Sequence, residues 1–206
     1  MRVLNLYAGL GGNRKLWNDV IPGAIVTAVE LNEKIAKVYQ ELNPKDDVII
    51  ADAHQYLLEN HQNFDFIWSS PPCQSHSKMV KATRHKINKF PDMNLYQEII
   101  FLQNFFKGKW VVENVKPYYK PLVEPAKEIG RHLFWSNFSL DDIEDIKSPS
   151  NFINKGNNKG VQELKDWLGI QYEGNLYYGK NHCPGQVLRN CVHPKIGKQI
   201  LQKAIL

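Results

Sequence analysis

The chain has 206 residues, 43% of them hydrophobic, which is enough to bury a sizeable core in one domain. No apolar run approaches the roughly 18 residues of a membrane span, and the N-terminus lacks the residue order of a signal peptide, so we expect a cytoplasmic protein without a membrane partner. The net charge of +5 suits a polyanionic partner, while the three cysteines lack Cys-x-x-Cys spacing, so we predict neither disulfides nor a metal site.

Strand and helix patterns alternate through the first two thirds of the chain. Strands are predicted at 2–7, 24–31, 47–52, 64–69, 110–113 and 130–138, and helices at 13–20, 33–42, 53–60 and 95–106. This order predicts an α/β fold with a doubly wound, mostly parallel sheet. We therefore assign residues 1–138 to a catalytic core.

The alternation stops where a stretch rich in Asn, Gly and Ser begins. We predict a small irregular insert at 139–186 with one short helix at 161–168. A C-terminal segment at 187–206, with a final helix at 195–205, then returns to the core.

Three strand ends carry residues suited to a nucleoside-bearing cofactor. Gly9, Gly11 and Gly12 follow the first strand and let the backbone approach a ligand closely. Glu30 ends the second strand, where a carboxylate can accept hydrogen bonds from ribose hydroxyls. Asp52 ends the third strand, where the same crevice would hold an adenine. These positions do not distinguish a dinucleotide from S-adenosylmethionine.

The stretch SSPPCQSHS follows the fourth strand and holds a cysteine behind two stiffening prolines. A fixed thiol at this edge, with its pKa lowered by the start of a following helix, is a candidate nucleophile. Glu113 ends the neighbouring fifth strand, so it and Cys73 are expected to face one pocket. Burial would raise the pKa of this carboxyl enough for it to donate a proton.

These stretches resemble the motifs of one enzyme family. YAGLGG, SPPCQ and ENV, in this order and each at a strand end, resemble the first, fourth and sixth motifs of the DNA cytosine-5 methyltransferases. RNCVHPKIGKQI resembles the tenth, with Asn190, Val192 and Pro194 in matching positions. The resemblance implies a Rossmann-like fold that uses S-adenosylmethionine and methylates C5 of a flipped cytosine in double-stranded DNA.

The resemblance also implies roles for individual residues. Cys73 would be the nucleophile, Glu113 the residue at the target cytosine, and Arg131 the arginine at the cytosine O2. The cofactor would contact Tyr7, Ala8, Gly9, Gly11, Gly12, Glu30, Leu31, Asp52, Ala53, Pro71, Asn190 and Val192. DNA would contact Gln74, Ser75, Lys78, Lys81, Arg84 and Lys86, in the region where the family has a loop that closes over DNA.

Several positions depart from the family pattern. The first motif begins Asn5-Leu6-Tyr7 instead of Asp-Leu-Phe, and the eighth is reduced to one arginine, Arg131. The insert is much shorter than the usual target-recognition domain. We therefore expect a short recognition sequence, a homodimer or an accessory recognition subunit, and a role in a phage or a restriction-modification system.

Three alternatives remain open. Ser70-Pro71-Pro72 also begins the motif of enzymes that methylate the exocyclic amine of cytosine or adenine, although Cys73 interrupts that motif. The reduced eighth motif and short insert also suit an inactive methyltransferase-like module that binds DNA. A nicotinamide-dependent oxidoreductase would explain the glycines and Glu30, but not PPCQ and ENV.

Overall fold

The structure is a computed structural model that describes residues 1–78, 90–150, 158–178 and 183–206. Within these ranges, seven strands form one sheet in the order β3-β2-β1-β4-β5-β7-β6. Strands β1 to β5 are parallel to one another, and β7 is antiparallel to both β5 and β6. The strands are β1 (Arg2–Leu6), β2 (Ile25–Val29), β3 (Asp47–Ile49), β4 (Phe66–Ser69), β5 (Lys109–Val115), β6 (Lys127–Ile129) and β7 (His132–Ser136).

Helices cover both faces of the sheet and produce two main cores. The helices are α1 (Glu33–Leu42), α2 (Ala53–Asn60), α3 (Asn94–Phe105), α4 (Asn158–Leu168), α5 (Pro184–Arg189) and α6 (Pro194–Ala204). Leu57 of α2 and Ile99 of α3 pack with Ile67 of β4 on one face. Ile200 of α6 packs with Trp68 of β4 on the other. The predicted α/β, mostly parallel, doubly wound sheet is confirmed.

The predicted helix at 13–20 is wrong. The chain forms turns there and only a short 3-10 helix at Trp17–Asp19. Tertiary contacts explain this path: Arg14 makes a buried ion pair with Asp46, and α6 approaches so closely that a Cβ on Gly197 would lie 2.1 Å from the Asn13 carbonyl oxygen. These contacts outweigh the weak local helix preference.

The predicted strand at 130–138 is the second strand of a hairpin. Ile129 of β6 pairs with His132 of β7, so Gly130 and Arg131 form a two-residue loop. Gly130 has φ +57°, as expected for glycine at the first central position of a type II′ turn. Strand β6 was not predicted, because Lys-Glu-Ile lacks an apolar alternation. The antiparallel edge, whose hairpin turn carries Arg131, was not predicted either.

The insert contains more regular structure than the sequence predicts. Its helix, α4, begins three residues earlier than predicted, and α5 was not predicted. Leu164 and Leu168 of α4 pack with Val187 of α5 and with Ile35 of α1, forming a third core cluster. Because α5 crosses residue 186, the predicted division of the chain at that residue falls within a helix; the three-part division stays a prediction.

None of the helices in the described ranges combines the length and the apolar composition that a membrane crossing requires.

Candidate active site

Most of the residues predicted to act in the reaction or to bind the cofactor meet at one cavity of about 580 Å³, beyond the carboxyl ends of β1, β2, β4 and β5. This is the edge at which parallel α/β sheets bind ligands. The predicted residues that line it are Tyr7, Ala8, Gly9, Glu30, Leu31, Asp52, Ala53, Pro71, Cys73, Gln74, Glu113, Arg131, Asn190 and Val192.

Glu30 is held at the cavity by the backbone. Its Oε2 accepts a hydrogen bond from the N–H of Gly9 at 3.0 Å, and its Oε1 accepts one from the N–H of Asn32 at 2.9 Å. Gly9 has φ +54°, a conformation that glycine adopts without steric cost. A carboxylate offers about four acceptor sites, so two backbone bonds leave Glu30 able to accept from a diol.

Gly11 and Gly12 lie outside the residues that line the cavity, and their close contacts give them a packing role; their predicted cofactor contact stays a prediction. A Cβ on Gly11 would lie 2.7 Å from the ring of Tyr39, and its φ is +74°. A Cβ on Gly12 would lie 2.7 Å from both the Cys191 Cβ and the Val192 carbonyl oxygen. Both positions therefore require glycine because neighbouring segments approach closely. The close approach at Gly12 brings the segment after α5 to the cavity.

Asp52 and Ala53 form the start of α2 beside the cavity. Asp52 is the N-cap, and its Oδ1 accepts from the N–H of Gln55 at 2.9 Å. Asn190, which also lines the cavity, caps the C-terminal end of α5. Leu31 is 67% exposed and presents an apolar surface at the rim of the cavity.

A buried carboxyl group that the sequence analysis missed lies beneath the cavity. Glu98 of α3 is fully buried; its Oε1 accepts from the Tyr7 hydroxyl and its Oε2 from the Ser69 hydroxyl, each at 2.6 Å. Its Oε1 also lies 3.1 Å from His54 Nδ1, and this hydrogen bond raises the pKa of His54. Tyr7, with φ +55°, and His54 both line the cavity.

The sequence of α3 contains a pattern from which the burial of Glu98 could have been predicted. Glu98 lies on the same stripe of α3 as Leu95, Ile99 and Leu102, all of them buried. A carboxylate in a buried apolar stripe requires hydrogen-bond donors from neighbouring elements. Here β1, β4 and α2 supply those donors.

Cys73 lies on a loop that is tied to the strand carrying Glu113. Asn114 donates its side-chain N–H to the carbonyl oxygen of Pro71 at 2.9 Å, and this bond is buried. On the other side of the thiol, the Cys73 carbonyl accepts from the N–H groups of His76 and Ser77, each at 3.0 Å. The loop is therefore held on both sides of Cys73.

Burial raises the pKa of Glu113 to about 7, in the direction that the sequence predicts. A hydrogen bond with Ser70 and the charge of Arg131 act in the opposite direction. His132 Nε2 lies 3.8 Å from Glu113 Oε1, but burial lowers the pKa of His132 to about 3, so this imidazole is neutral. Glu113 can therefore exchange a proton near neutral pH.

The expectation that a helix start lowers the pKa of Cys73 is wrong. Residues 74–76 form a turn, and burial together with the charge of Glu113 raises the pKa of the thiol. Arg131 opposes this rise. Its guanidinium donates a hydrogen bond to the Arg189 carbonyl and lines the cavity, so the hairpin turn supplies positive charge to both reactive groups.

The predicted DNA-contacting residues are placed in part. Gln74 is exposed at the cavity, and Lys78 is exposed outside it. Ser75 lies outside the cavity, and its hydroxyl accepts from the N–H of Asp92 at 2.9 Å. Lys81, Arg84 and Lys86 lie outside the described residues.

In the described part of the chain, no group of three or more His, Cys, Asp or Glu side chains is placed to hold a metal ion.

Comparison with known proteins identifies a family match over most of the core. The profile for C-5 cytosine-specific DNA methylases matches residues 1–127. The chain is 24% identical to the type II methyltransferase M.HgiBI of Herpetosiphon aurantiacus over 181 residues, covering 83% of this chain and 39% of that protein. It is 32% identical to a bifunctional methyltransferase of Rickettsia conorii over 114 residues, covering 53% of this chain and 21% of that protein. The chain thus spans well under half the length of these curated relatives.

Solved structures share the fold. A mutant of DNMT2 from Spodoptera frugiperda superposes with a TM-score of 0.60 at 15% identity, covering 100% of this chain and 99% of that one. The methyltransferase EhMeth of Entamoeba histolytica gives a TM-score of 0.57 at 12% identity, covering 100% and 98%. At these identities the likeness shows the Rossmann-like methyltransferase fold.

The residues present fit S-adenosylmethionine, the methyl donor that this family uses. Glu30 offers acceptors for a ribose diol, and Asp52 with Ala53 lies one strand further along the same edge, where an adenine would lie. The backbone at Gly9 allows close approach. When bound, the cofactor supplies a methyl group on a sulfonium.

Proposed function

The chain belongs to the C-5 cytosine-specific DNA methylase family, and we propose that it methylates C5 of a cytosine in duplex DNA with S-adenosylmethionine as the donor. The observation that carries this proposal is that Cys73 and Glu113 line the same cavity as Gly9 and Glu30. A thiol and a carboxyl beside a nucleoside-type cofactor site suit the methylation of a ring carbon.

The reaction requires both groups because C5 of cytosine is a poor nucleophile. We propose that the Cys73 thiolate adds to C6 while the Glu113 carboxyl donates a proton to N3. Electron density then reaches C5, which takes the methyl group. The C5 proton then passes to water, the bond between C6 and the Cys73 sulfur breaks with its electron pair returning to the thiolate, and the N3 proton returns to Glu113, which restores the ring and both protein groups.

Arg131 has two proposed functions in this scheme. Its charge lowers the pKa of both Cys73 and Glu113 against the effect of burial. Its position in the cavity also suits a hydrogen bond to O2 of the target base. The guanidinium would then stabilise the negative charge that thiolate addition moves into the ring.

The cytosine must leave the base stack to reach this cavity, since C6 and N3 are inaccessible inside a duplex. We propose that Gln74, at the cavity, and Lys78, exposed nearby, contact the DNA around the flipped base. Lys81, Arg84 and Lys86 are proposed to continue this basic surface. A steep loss of DNA affinity with rising salt would support such phosphate contacts.

Two other functions compete with this proposal. An exocyclic amine is itself a nucleophile, so methylation of an amine needs no thiol at the reacting base. An inactive DNA-binding module needs neither Cys73 nor Glu113 in the cavity. The presence of both in one cavity favours carbon methylation over either alternative.

Nucleoside mass spectrometry tests the proposal. Duplex DNA of mixed sequence is incubated with the protein and methyl-labelled S-adenosylmethionine, digested and analysed. Label in 5-methylcytosine is expected, whereas label in an N-methylated base would overturn the role of Cys73. A third outcome is that calorimetry detects cofactor binding but no methyl group is transferred to any member of a DNA library that covers all short sites. That outcome would favour the inactive DNA-binding module.

A further inference from the structure

Trp68, Ser70 and Glu113 lie on one face of the sheet, and the last two line the cavity. Strands β4 and β5 are parallel neighbours, with Trp68 opposite Val111 and Ser69 opposite Val112. Trp68 and Val111 both pack in the core on the α6 side. Because side chains alternate along a strand, continuing this register by one residue places Ser70, directly after β4, beside Glu113 on that same face.

The hydrogen bond from Trp68 determines the direction of the Ser70 hydroxyl. The indole Nε1–H of Trp68 donates to Ser70 Oγ at 2.9 Å. An indole is a donor only, so the Ser70 oxygen accepts this bond and its single hydrogen remains to be donated elsewhere. The strand register places Ser70 beside Glu113, whose carboxyl is buried, and Ser70 lowers the pKa of that carboxyl as a hydrogen-bond donor does, so we infer that this hydrogen is directed at a Glu113 oxygen.

The other groups around Glu113 cannot replace this bond. Arg131 acts on the carboxyl through its charge, and its guanidinium also donates to the Arg189 carbonyl. His132 is neutral and 3.8 Å from Oε1, which is beyond hydrogen-bond distance. Cys73 and Glu113 repel each other when both are ionised. Within the described part of the chain, Ser70 is therefore placed to act as a neutral donor to the carboxyl group.

We propose that Ser70 is a positioning residue for Glu113: its hydroxyl, directed by the Trp68 indole, selects which carboxyl oxygen carries the proton. The oxygen that accepts from Ser70 is the carbonyl-like oxygen of the neutral acid, so the proton lies on the other oxygen. That second oxygen is the donor toward N3 of the base. This inference rests on the proposed function for its meaning in catalysis, but the Trp68–Ser70–Glu113 chain is testable without DNA.

Alkylation of Cys73 by iodoacetamide provides the test. In the protein without DNA or cofactor, the rate is followed against pH and assigned to Cys73 by peptide mass spectrometry. Ionisation of Glu113 raises the pKa of the thiol, so the profile is expected to bend near pH 7, and Glu113→Gln is expected to abolish the bend. The bend therefore reports the protonation of Glu113.

Removal of the hydroxyl should move this bend. Ser70→Ala removes a donor that favours the ionised carboxylate, so the bend should shift upward by about one pH unit. Trp68→Phe should shift it in the same direction by less, and Ser70→Thr, which keeps a hydroxyl, should restore the wild-type profile. Ser136→Ala is the matched control, since Ser136 donates to the Phe138 carbonyl at the far end of β7.

Two results would overturn the proposal: an unchanged bend in Ser70→Ala, or a shift no larger than in Ser136→Ala. If Ser70→Ala does not fold, the other two variants provide the test. An upward shift of the bend in Trp68→Phe together with a wild-type profile in Ser70→Thr would support the proposal, and an unchanged bend in Trp68→Phe would overturn it. In methylation assays Ser70→Ala should lower kcat more than it raises KM for DNA. Failure to detect methylation would leave the alkylation result valid, so the two proposals fail independently.

Discussion

The buried hydrogen bond from Asn114 Nδ2 to the Pro71 carbonyl oxygen, at 2.9 Å, joins the loop that carries Cys73 to the strand that carries Glu113. Asn114 follows Glu113 on β5, and Pro71 precedes Cys73 by two residues. The same side chain also bonds to its own strand, because Asn114 Oδ1 accepts a hydrogen bond from the N–H of Val115. The spacing between the Cys73 thiol and the Glu113 carboxyl therefore depends on an amide that has no role in the proposed reaction.

Replacement of this amide should weaken both the fold and the reaction. Asn114→Ala leaves the Pro71 carbonyl buried without its donor, which should cost about 1–3 kcal/mol of unfolding free energy. Urea denaturation measures this cost, and methylation should fall further than the loss of folded protein explains. Asn104→Ala is the control, since that side chain caps an exposed carbonyl on α3 and should change stability by less than about 0.5 kcal/mol. Equal effects of the two variants would contradict the proposed link.

Cys73→Ser should abolish methylation while cofactor affinity is retained, because the thiol acts on the base and Glu30 and Asp52 lie at other strand ends. Calorimetry with S-adenosylhomocysteine measures the affinity. A DNA duplex containing 5-fluorocytosine should trap the wild-type protein covalently, since fluorine at C5 blocks the final elimination. Cys183→Ser, outside the cavity, should behave as wild type. Trapping of the Cys73→Ser variant would exclude this thiol as the nucleophile.

The parallel part of the sheet was predictable because each strand is a short apolar run that is bounded by polar or glycine residues. That Glu30, Asp52, Cys73 and Glu113 line one cavity was likewise predictable, since they lie at or near the carboxyl ends of such strands. The antiparallel edge was not predictable. Its strand β6 carries no apolar alternation, and its pairing is determined by a hairpin turn at Gly130.

The pKa shifts divide in the same way into one that was predictable from the local sequence and one that was not. Burial of Glu113 follows from an apolar strand, so the direction of its pKa was predictable. The pKa of Cys73 depends on Glu113 and Arg131, which lie 40 and 58 residues away in the chain, and local sequence indicated the wrong direction. The packing roles of Gly11 and Gly12 were not predictable for a similar reason, since the atoms that exclude a Cβ belong to α1 and its C-cap and to the segment after α5.

The network around Glu98 should contribute to both stability and cofactor affinity. Glu98→Ala leaves the hydroxyls of Tyr7 and Ser69 and the imidazole of His54 without their buried acceptor, which should cost about 3–5 kcal/mol. Tyr7→Phe removes one donor and should cost about 1 kcal/mol. Denaturation and calorimetry measure the two effects. Cofactor affinity should fall in both variants because Tyr7 and His54 line the cavity; unchanged affinity in Glu98→Ala would restrict Glu98 to a role in folding.

The buried carboxyl of Glu113 should make stability depend on pH in a defined direction. Its folded pKa of about 7 lies above the ordinary 4.5, so the folded state binds more protons between these values. The contribution of this group to stability is therefore full below pH 4.5 and is lost as pH rises through 7. Glutamine does not ionise, so Glu113→Gln should gain stability relative to wild type between pH 5 and 8, by up to about 3 kcal/mol.

Urea denaturation of both proteins at each pH isolates this effect. His132, whose pKa is lowered to about 3 by burial, makes both proteins less stable as pH falls below its ordinary 6.5, so its contribution cancels in the difference. The same variant should methylate cytosine about 10²–10⁴-fold more slowly than wild type, since it lacks the proton donor. A stability difference that stays constant across this pH range would mean that Glu113 ionises in the folded protein as it does in water, and the carboxyl would then be too acidic to protonate N3.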